Sequence, residues 1–468
     1  MKFAAALFLA ALAAAQPAPS YKDLKYPALK PVKIPVPVEF TLANGMRVFL
    51  LEDHELPLIN GLALVHTGNL FDPPDKKGLS SVMADVLRSG GTKDKTGDQI
   101  DEELENIAAS VESSMGETNA SISFSGLKES TDTVLRIFKE VMTEPEFRQD
   151  KIDLTIAQSN SGIDRRNDDA QGIAEREIAD ILYGRNNPYG WSIEHADLAR
   201  IKREDLQQFY RRYYFPKNIL LAVYGDFAAA ELKEKLERIF DDWKVEQAAA
   251  PPFPQVTAKA APGVFLAEKS DVTQTFFAMG LLSGTLRDPD YPALEVASNI
   301  LGSGFTSRLM SQIRTKMGLA YSIGAGWGAA YDHPGTFRIV GSTKSSSTAD
   351  ALVAARVELE KMRTAEVTEQ ELQTAKDSVL NGFVFYFDSP AKTVNRVMNY
   401  EYFGYPKDFL FEYQKKIAAV TRADVLRVFR QHIDPANLTI VAVGNPKDFG
   451  KPLSAAGQVE KIDLTIPK

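Results

Sequence analysis

The chain has 468 residues and no cysteine, so disulfides cannot stabilise it and its stability must come from burying apolar side chains. Its formal net charge of −8 and its pI of about 5.4 argue against nucleic acid or an anionic membrane surface as a partner. The length is sufficient for two or more hydrophobic cores.

The N-terminal residues have the pattern of a secretory signal peptide. Lys2 is followed by an apolar run over residues 3–14, and small residues lead up to Gln16. A membrane-spanning helix needs roughly 20 apolar residues, so this shorter run predicts export and no membrane span. We expect a signal peptide over residues 1–15 and a periplasmic or extracellular location. Six prolines between residues 16 and 37 predict a proline-rich, extended arm.

The next stretch predicts a mixture of strands and helices. Asn44-Gly45 lies between two apolar segments, 39–43 and 46–51, and is a strong signal for a two-residue hairpin turn. The apolar spacing then predicts, in chain order, a strand over 60–66, a helix within 78–92, a helix over 98–109, strands over 110–115 and 119–126, helices over 131–143, 147–168, 170–182 and 205–213, and a buried strand over 219–224. This order predicts an α+β fold in which helices pack on an antiparallel sheet.

Residues 247–262 predict a linker, and the pattern before it returns after it. The segment QAAAPPFPQVTAKAAP combines four prolines with small residues. Three patterns recur in the same order: G-x-L-x-D-P at residues 68 and 284, [IV]-x-R-x-D-[LV] at 201 and 420, and P-x-N with a following glycine at 216 and 435. Unrelated domains with similar turns would rarely keep this order. We therefore predict two homologous α+β domains, over residues 38–246 and 263–468.

One helix of the first domain bears on catalysis. In KGLSSVMADVLRSGGT, residues 77–92, the apolar residues have the spacing of a buried helix face, and two glycines end the helix. This helix resembles the metal-binding helix of the pitrilysin/insulinase-type zinc peptidases, or inverzincins, whose pattern is G-L-A-H-x-x-E-H-x-L-x-x-G-T. The resemblance extends over nearly the whole chain and includes the mitochondrial processing peptidases.

The resemblance implies that the zinc site is lost. The first histidine of the family pattern falls on Ser81, the glutamate on Ala84 and the second histidine on Asp85. The third ligand, a glutamate of the next long helix, falls on Gly162. One carboxylate holds neither zinc nor a nucleophilic water, so we expect no metal in this chain. Asp85 is expected to be a surface carboxylate that pairs with Arg88.

The histidines offer no substitute site. No two of them are close enough in sequence to share a helix face, and each is expected to be a surface or satisfied core residue. They are His54, His66, His195, His333 and His432.

The second domain contains a positive signal. Thr306 or Ser307 can cap a helix, a glycine follows its last turn, and residues 319–325 predict a strand. Arg314 in the last turn and Tyr321 early in the strand resemble the family's arginine–six residues–tyrosine element. In family members this element donates hydrogen bonds to the substrate backbone at the scissile bond. Spacing alone also fits an arginine at a helix C-terminus and a half-buried strand tyrosine, but the flanking LGSGFTSRL and LAYS favour the functional role.

Two further segments have counterparts in the family. Residues 109–115 correspond to an edge strand that receives the substrate by β-addition. Ser113 and Ser114 replace the usual Asn-Ala there, so an ordinary polar edge strand is at least as compatible. Residues 187–191, NPYGW, resemble a family turn, for which we expect a structural role.

These features point to a subunit rather than a complete enzyme. In several bacterial branches of the family, one chain carries H-x-x-E-H and a homologous chain has lost it but keeps the Arg/Tyr pair. Our leading hypothesis is the non-zinc subunit of an exported heterodimeric metallopeptidase that acts on peptides or unfolded polypeptides, with zinc in the partner chain. The alternative is a peptide-binding or scaffold protein without peptidase activity. A self-sufficient hydrolase that uses Ser81 or another serine ranks last, because no histidine lies at a suitable position.

Overall fold

The described part of the chain is built around two six-stranded sheets. The structure is a computed structural model that describes residues 34–257, here the first half, and 261–467, the second half. The expected signal peptide and most of the proline-rich arm lie outside the described residues. No helix of the described residues is both long and apolar enough to cross a membrane.

Sheet 1 belongs to the first half and sheet 2 to the second. Sheet 1 contains β1 (Val38–Thr41), β2 (Arg47–Glu52), β3 (Leu58–Val65), β4 (Ser110–Met115), β5 (Ala120–Leu127) and β6 (Ile219–Gly225), in the order β1-β2-β6-β3-β5-β4. Sheet 2 contains β7 (Gly263–Glu268), β8 (Gln274–Leu282), β9 (Ser322–Gly328), β10 (Thr336–Lys344), β11 (Thr439–Gly444) and β12 (Val459–Ile462), in the order β12-β7-β11-β8-β10-β9. Apart from the first edge strand, the two orders are the same, so the predicted duplicated α+β fold is confirmed.

Each sheet is mixed rather than wholly antiparallel. The last long strand of each half, β6 or β11, enters between two strands that run in opposite directions. It must therefore be parallel to one of them, and β6 pairs with β2, as β11 pairs with β7, in parallel. The predicted hairpin exists, since β1 pairs antiparallel with β2, but its loop is longer than the two residues predicted. The Leu42 N–H donates to the Met46 carbonyl oxygen at 2.9 Å, so residues 43–45 form the loop, with Gly45 at φ +94°.

The helices follow the predicted order. The first half contains α1 (Leu79–Ser89), α2 (Gly97–Glu105), α3 (Thr131–Thr143), α4 (Gln149–Arg165), α5 (Ala170–Tyr183), α6 (His195–Leu198), α7 (Arg203–Tyr213) and α8 (Ala229–Ile239). The second half contains α9 (Tyr291–Gly302), a π-helix (Met310–Lys316), α10 (Thr348–Thr364), α11 (Glu369–Gly382), α12 (Pro390–Phe403), α13 (Phe409–Ala419) and α14 (Arg422–His432). Helix α2 ends earlier than the predicted 98–109, because a turn with Ala108 at φ +50° leads into β4.

Each half places one helix on the sheet of the other half. Helix α5 of the first half buries Ile173, Ala174 and Ile178 in a cluster with β8 and β11 of sheet 2. Helix α12 of the second half buries Val394 and Met398 in a cluster with β2, β3 and β6 of sheet 1. The opposite face of each sheet packs on the remaining helices of its own half. This exchange joins the described residues from Pro35 onward into one compact unit.

A partly buried glutamate in the second half makes stability depend on pH. Burial raises the pKa of Glu295, on α9, to about 7 from its usual 4.5. The ionised form is therefore disfavoured in the folded chain, and stability falls as the pH rises from about 4.5 through 7.

Glu295→Gln is expected to raise the free energy of unfolding by about 2–3 kcal/mol at pH 8 and to change it little at pH 4.5. Urea midpoints at the two pH values measure this, with the exposed Glu112→Gln as control. A gain that is equal at both pH values would contradict a titrating Glu295.

Candidate functional site

Helix α1 begins where an aspartate binds its first N–H groups. The Asp72 carboxylate accepts hydrogen bonds from the backbone N–H groups of Gly78 (2.8 Å) and Ser80 (2.9 Å). Gly78 has a φ of +90°, which favours glycine. Burial raises the pKa of Asp72 to about 7, although the Gly78 and Ser80 hydrogen bonds favour the carboxylate. The G-x-L-x-D-P pattern therefore fixes the start of the helix.

The positions that correspond to zinc ligands lie on α1 and α4, which pack against each other. Ser81, Ala84 and Asp85 are spaced to lie on one side of α1; Ala84 is fully buried and Asp85 is exposed. Gly162 is exposed on α4, and no atom lies within 4 Å of the place where a Cβ would be. The space for a ligand exists, but Ala84 and Gly162 offer no ligand atom. These residues do not fit zinc.

Arg88 does not pair with Asp85, so that expectation was wrong. Arg88 is buried, and its Nε donates to the Val111 carbonyl oxygen at 2.9 Å. Its Nη2 binds the Asp101 carboxylate. The side chain points toward β4, where the Val111 carbonyl oxygen and Asp101 supply its partners, whereas Asp85 faces solvent.

Strand β4 forms the outer edge of sheet 1, as predicted. The Ser113 hydroxyl donates to the Ala84 carbonyl oxygen and ties the strand to α1. The hydroxyls of Ser114 and Ser121 lie 2.8 Å apart across β4 and β5. Both serines thus have structural contacts, and the binding of a peptide at this edge stays a prediction.

One group of acidic and histidine side chains in the described residues is close enough to hold a metal: Asp288, Asp290 and His432. The Asp290 carboxylate already binds Arg427, with N–O distances of 2.8 and 3.1 Å, and His432 Nε2 at 2.8 Å. The Arg427 hydrogen bond holds the pKa of Asp290 below its usual value. This group is an ion-pair network between α9 and α14.

The other four histidines have separate surroundings. His54 lies 2.6 Å from Asp226, His195 2.5 Å from Asn160, and His333 3.0 Å from Asp332. The His66 ring stacks between Tyr402 and Phe253, at 4.8 and 5.0 Å. These histidines therefore do not gather into a metal site.

Arg314 lies in the π-helix that follows α9. The predicted helix exists, but its last turns are wider than α-helical turns, a geometry that occurs frequently at functional sites. The Ser307 hydroxyl donates to the Gly304 carbonyl oxygen at 2.8 Å, and no side chain caps the π-helix. Gly318, at φ +62°, ends it as predicted.

Tyr321 lies just before β9 and is 74% exposed. The strand begins three residues later than predicted, because residues 317–320 close the π-helix, with the Leu319 N–H donating to the Ile313 carbonyl oxygen at 2.9 Å. The Tyr321 N–H donates to the Ser342 carbonyl oxygen at 2.8 Å. A half-buried strand tyrosine, the structural alternative for this position, is not what the structure contains.

A residue that sequence reasoning did not single out lies beside Arg314. The Arg314 guanidinium carbon is 5.5 Å from the centre of the Phe305 ring, which is itself 74% exposed. The available signal was a lone aromatic residue within the small residues of LGSGFTS. Arg314, Tyr321 and Phe305 all lie on the connection between α9 and β9, in the second half, while the lost zinc positions lie in the first.

The turn at residues 187–191 is structural, as expected. Residues Pro188–Gly190 form a short 3₁₀ helix whose N-terminus is capped by the Asn187 side chain. The Tyr189 hydroxyl donates to the Asp332 carboxylate at 2.7 Å. The turn thus links the two halves.

The isolated chain is expected to bind no stoichiometric zinc, because Ser81, Ala84, Asp85 and Gly162 supply one carboxylate between them. Metal analysis after loading with excess zinc and gel filtration measures this. One zinc retained per chain would contradict the interpretation of the whole first half.

Comparisons with known proteins agree with the resemblance to the insulinase-type peptidases. The family described as insulinase (peptidase family M16) matches residues 59–196, and the family described as peptidase M16 inactive domain matches residues 200–379. The non-peptidase homolog YmxG of Helicobacter pylori is 25% identical over 404 residues, which cover 85% of this chain and 91% of that one. The probable mitochondrial-processing peptidase subunit beta of Arabidopsis thaliana is 21% identical, with 87% of this chain and 78% of that one covered.

A solved structure has the same fold. The peptidase M16 inactive domain from Pseudomonas fluorescens superposes with a TM-score of 0.78 at 22% identity, covering 89% of this chain and 100% of that one. Together the two family matches cover most of the chain, including the degenerate helix α1 and the Arg314–Tyr321 connection. The chain belongs to the insulinase, or M16, peptidase family.

Proposed function

We propose that this chain is the non-zinc subunit of an exported heterodimeric metallopeptidase, and that Arg314 and Tyr321 complete an active site whose zinc belongs to a homologous partner. The observation that carries the proposal is a pair of free donors. Within the described residues, neither the guanidinium nor the phenol hydroxyl has a hydrogen-bond or ion-pair partner, although the same chain lacks a zinc site.

The two side chains suit peptide-bond hydrolysis. The carbonyl oxygen of the scissile bond gains negative charge as water adds, and an N–H or O–H donor aimed at that oxygen lowers the barrier. One such donor is worth roughly 2.7–4 kcal/mol in a site that excludes water. In the free chain, water reaches Tyr321, so the donors become effective only when a partner and a substrate cover them.

The names of some relatives support a non-zinc subunit, whereas other relatives are named zinc proteases. One relative is named a non-peptidase homolog and another a subunit of a processing peptidase. Export is proposed from the N-terminal sequence pattern alone. The substrate is proposed to be a peptide or an unfolded polypeptide, because donors that bind backbone carbonyl oxygens recognise an extended chain without regard to its side chains.

A second candidate is a peptide-binding or scaffold protein with no peptidase partner. The absence of a zinc site in this chain also fits the scaffold function. Without a metal, Arg314 and Tyr321 would hold a peptide backbone without cutting it.

Purification of the tagged native chain tests the proposal. We expect a homologous chain with the H-x-x-E-H motif to co-purify in equal amount, with one zinc per pair. A native chain that elutes alone, or with partners that lack this motif, would favour the scaffold function.

A further inference from the structure

Phe305 is an exposed aromatic residue in an exposed loop. Residues 303–306 connect α9 to the π-helix region, and all of them are exposed. The Phe305 ring lies against the Arg314 guanidinium at 5.5 Å. Cation–π attraction acts within about 6 Å of the ring centre, so this contact is energetically significant.

Among the described residues, the guanidinium contacts this ring and makes no hydrogen bond or ion pair. Arg308, six residues earlier, shows the contrast: its guanidinium binds the Glu371 carboxylate through two hydrogen bonds, of 2.7 and 3.0 Å. A carboxylate partner occupies N–H donors and neutralises charge. An aromatic ring contacts the flat face of the guanidinium and leaves the in-plane N–H groups free.

We propose that Phe305 is a positioning residue, which holds the Arg314 guanidinium flat so that its free N–H edge meets the carbonyl oxygens of a bound peptide. This inference rests on the function proposed above. An arginine side chain has many accessible rotamers, and stacking on the ring removes part of that freedom before the substrate arrives.

The backbone on either side of Phe305 is anchored. Gly304 adopts a φ of +76°, which favours glycine, and the Ser307 hydroxyl donates to its carbonyl oxygen at 2.8 Å. The Arg308–Glu371 ion pair attaches the next turn to α11, and the Arg308 hydrogen bond lowers the pKa of Glu371 to about 2. The exposed ring therefore lies on a loop whose backbone is anchored on both sides.

A double-mutant cycle on the purified pair tests the proposal, with labelled, reduced casein as the probe substrate. Phe305→Leu keeps an apolar side chain but removes the ring, and we expect kcat/KM to fall about 3- to 10-fold, the scale of a cation–π contact. Phe305→Trp should retain most of the turnover. Phe385→Leu, at another exposed phenylalanine of the second half, is the matched control and should change nothing.

The decisive comparison repeats Phe305→Leu in an Arg314→Ala background. If Phe305 acts by positioning Arg314, Phe305→Leu should cause no further loss of kcat/KM in the Arg314→Ala background, because no guanidinium remains to orient. An equal loss in both backgrounds would show that Phe305 contacts the substrate directly and would overturn the proposal. If Arg314→Ala itself leaves turnover unchanged, the proposed function fails instead, and the two failures are thus distinguishable.

A measurement on the chain alone tests the contact without a partner. The NMR signal of the Arg314 Nε–H, assigned with Arg314→Lys, should be shifted upfield by the ring and should move downfield in Phe305→Leu. An unchanged signal would overturn the positioning role, whatever the partner does.

Discussion

Tyr321→Phe is expected to lower kcat of the zinc-containing pair by roughly 10²-fold or more, the scale of one lost oxyanion donor. The substitution removes one hydroxyl that makes no hydrogen bond within the described residues, and the side chain is 74% exposed. Folding, assembly and zinc content should therefore be unchanged. Arg314→Lys should also lower kcat, because an ammonium group cannot reproduce the planar set of guanidinium donors.

The measurement is kcat per folded pair, with casein as substrate and with Tyr386→Phe as the control for a tyrosine hydroxyl lost elsewhere in the second half. Unchanged turnover in Tyr321→Phe, with intact assembly, would return Arg314 and Tyr321 to structural roles. The scaffold function would then be favoured.

Met398→Ala is expected to destabilise both halves of the chain, by about 2–5 kcal/mol. Met398 lies on α12 of the second half, is fully buried, and packs on sheet 1 of the first half. Truncation leaves a cavity between a helix of one half and a sheet of the other. The loss of stability should therefore affect both halves. Lys392→Ala, exposed on the same helix, should change stability by no more than about 0.5 kcal/mol.

Tryptophan fluorescence separates the two halves in this experiment. Trp243 is buried in the first half and Trp327 in the second, and Trp191 can be replaced by phenylalanine. In single-tryptophan variants, Met398→Ala should shift both urea transitions to lower concentration by similar amounts. A shift confined to Trp243 would show that the halves unfold independently and that the helix exchange does not couple them.

Local patterns made much of the fold predictable. The apolar spacing of α1 predicted its buried face, and Val82, Met83, Val86 and Leu87 are all buried. The repeated G-x-L-x-D-P pattern has a physical cause in the first half, where Asp72 binds the first N–H groups of α1. The positions that correspond to zinc ligands could also be assigned, because the family pattern gives a residue for each helical position, but the absence of bound zinc stays a prediction.

Long-range packing could not be inferred from spacing. The apolar faces of α5 and α12 predict burial but do not specify which sheet buries them. The direction of Arg88 depends on Asp101, which lies on a neighbouring helix, so an i, i+3 rule gave the wrong partner. The contact between Phe305 and Arg314 depends on the path of an irregular loop, which periodicity does not describe.

Reconstitution tests the central claim most directly. The zinc-bearing chain that co-purifies is isolated and titrated with this chain, and the rate of casein cleavage is followed. We predict that neither chain cleaves casein alone and that activity rises to a plateau at one copy of each chain, with one zinc per pair. Full activity of the zinc-bearing chain alone, unaffected by this chain, would contradict the claim that Arg314 and Tyr321 complete a partner's active site.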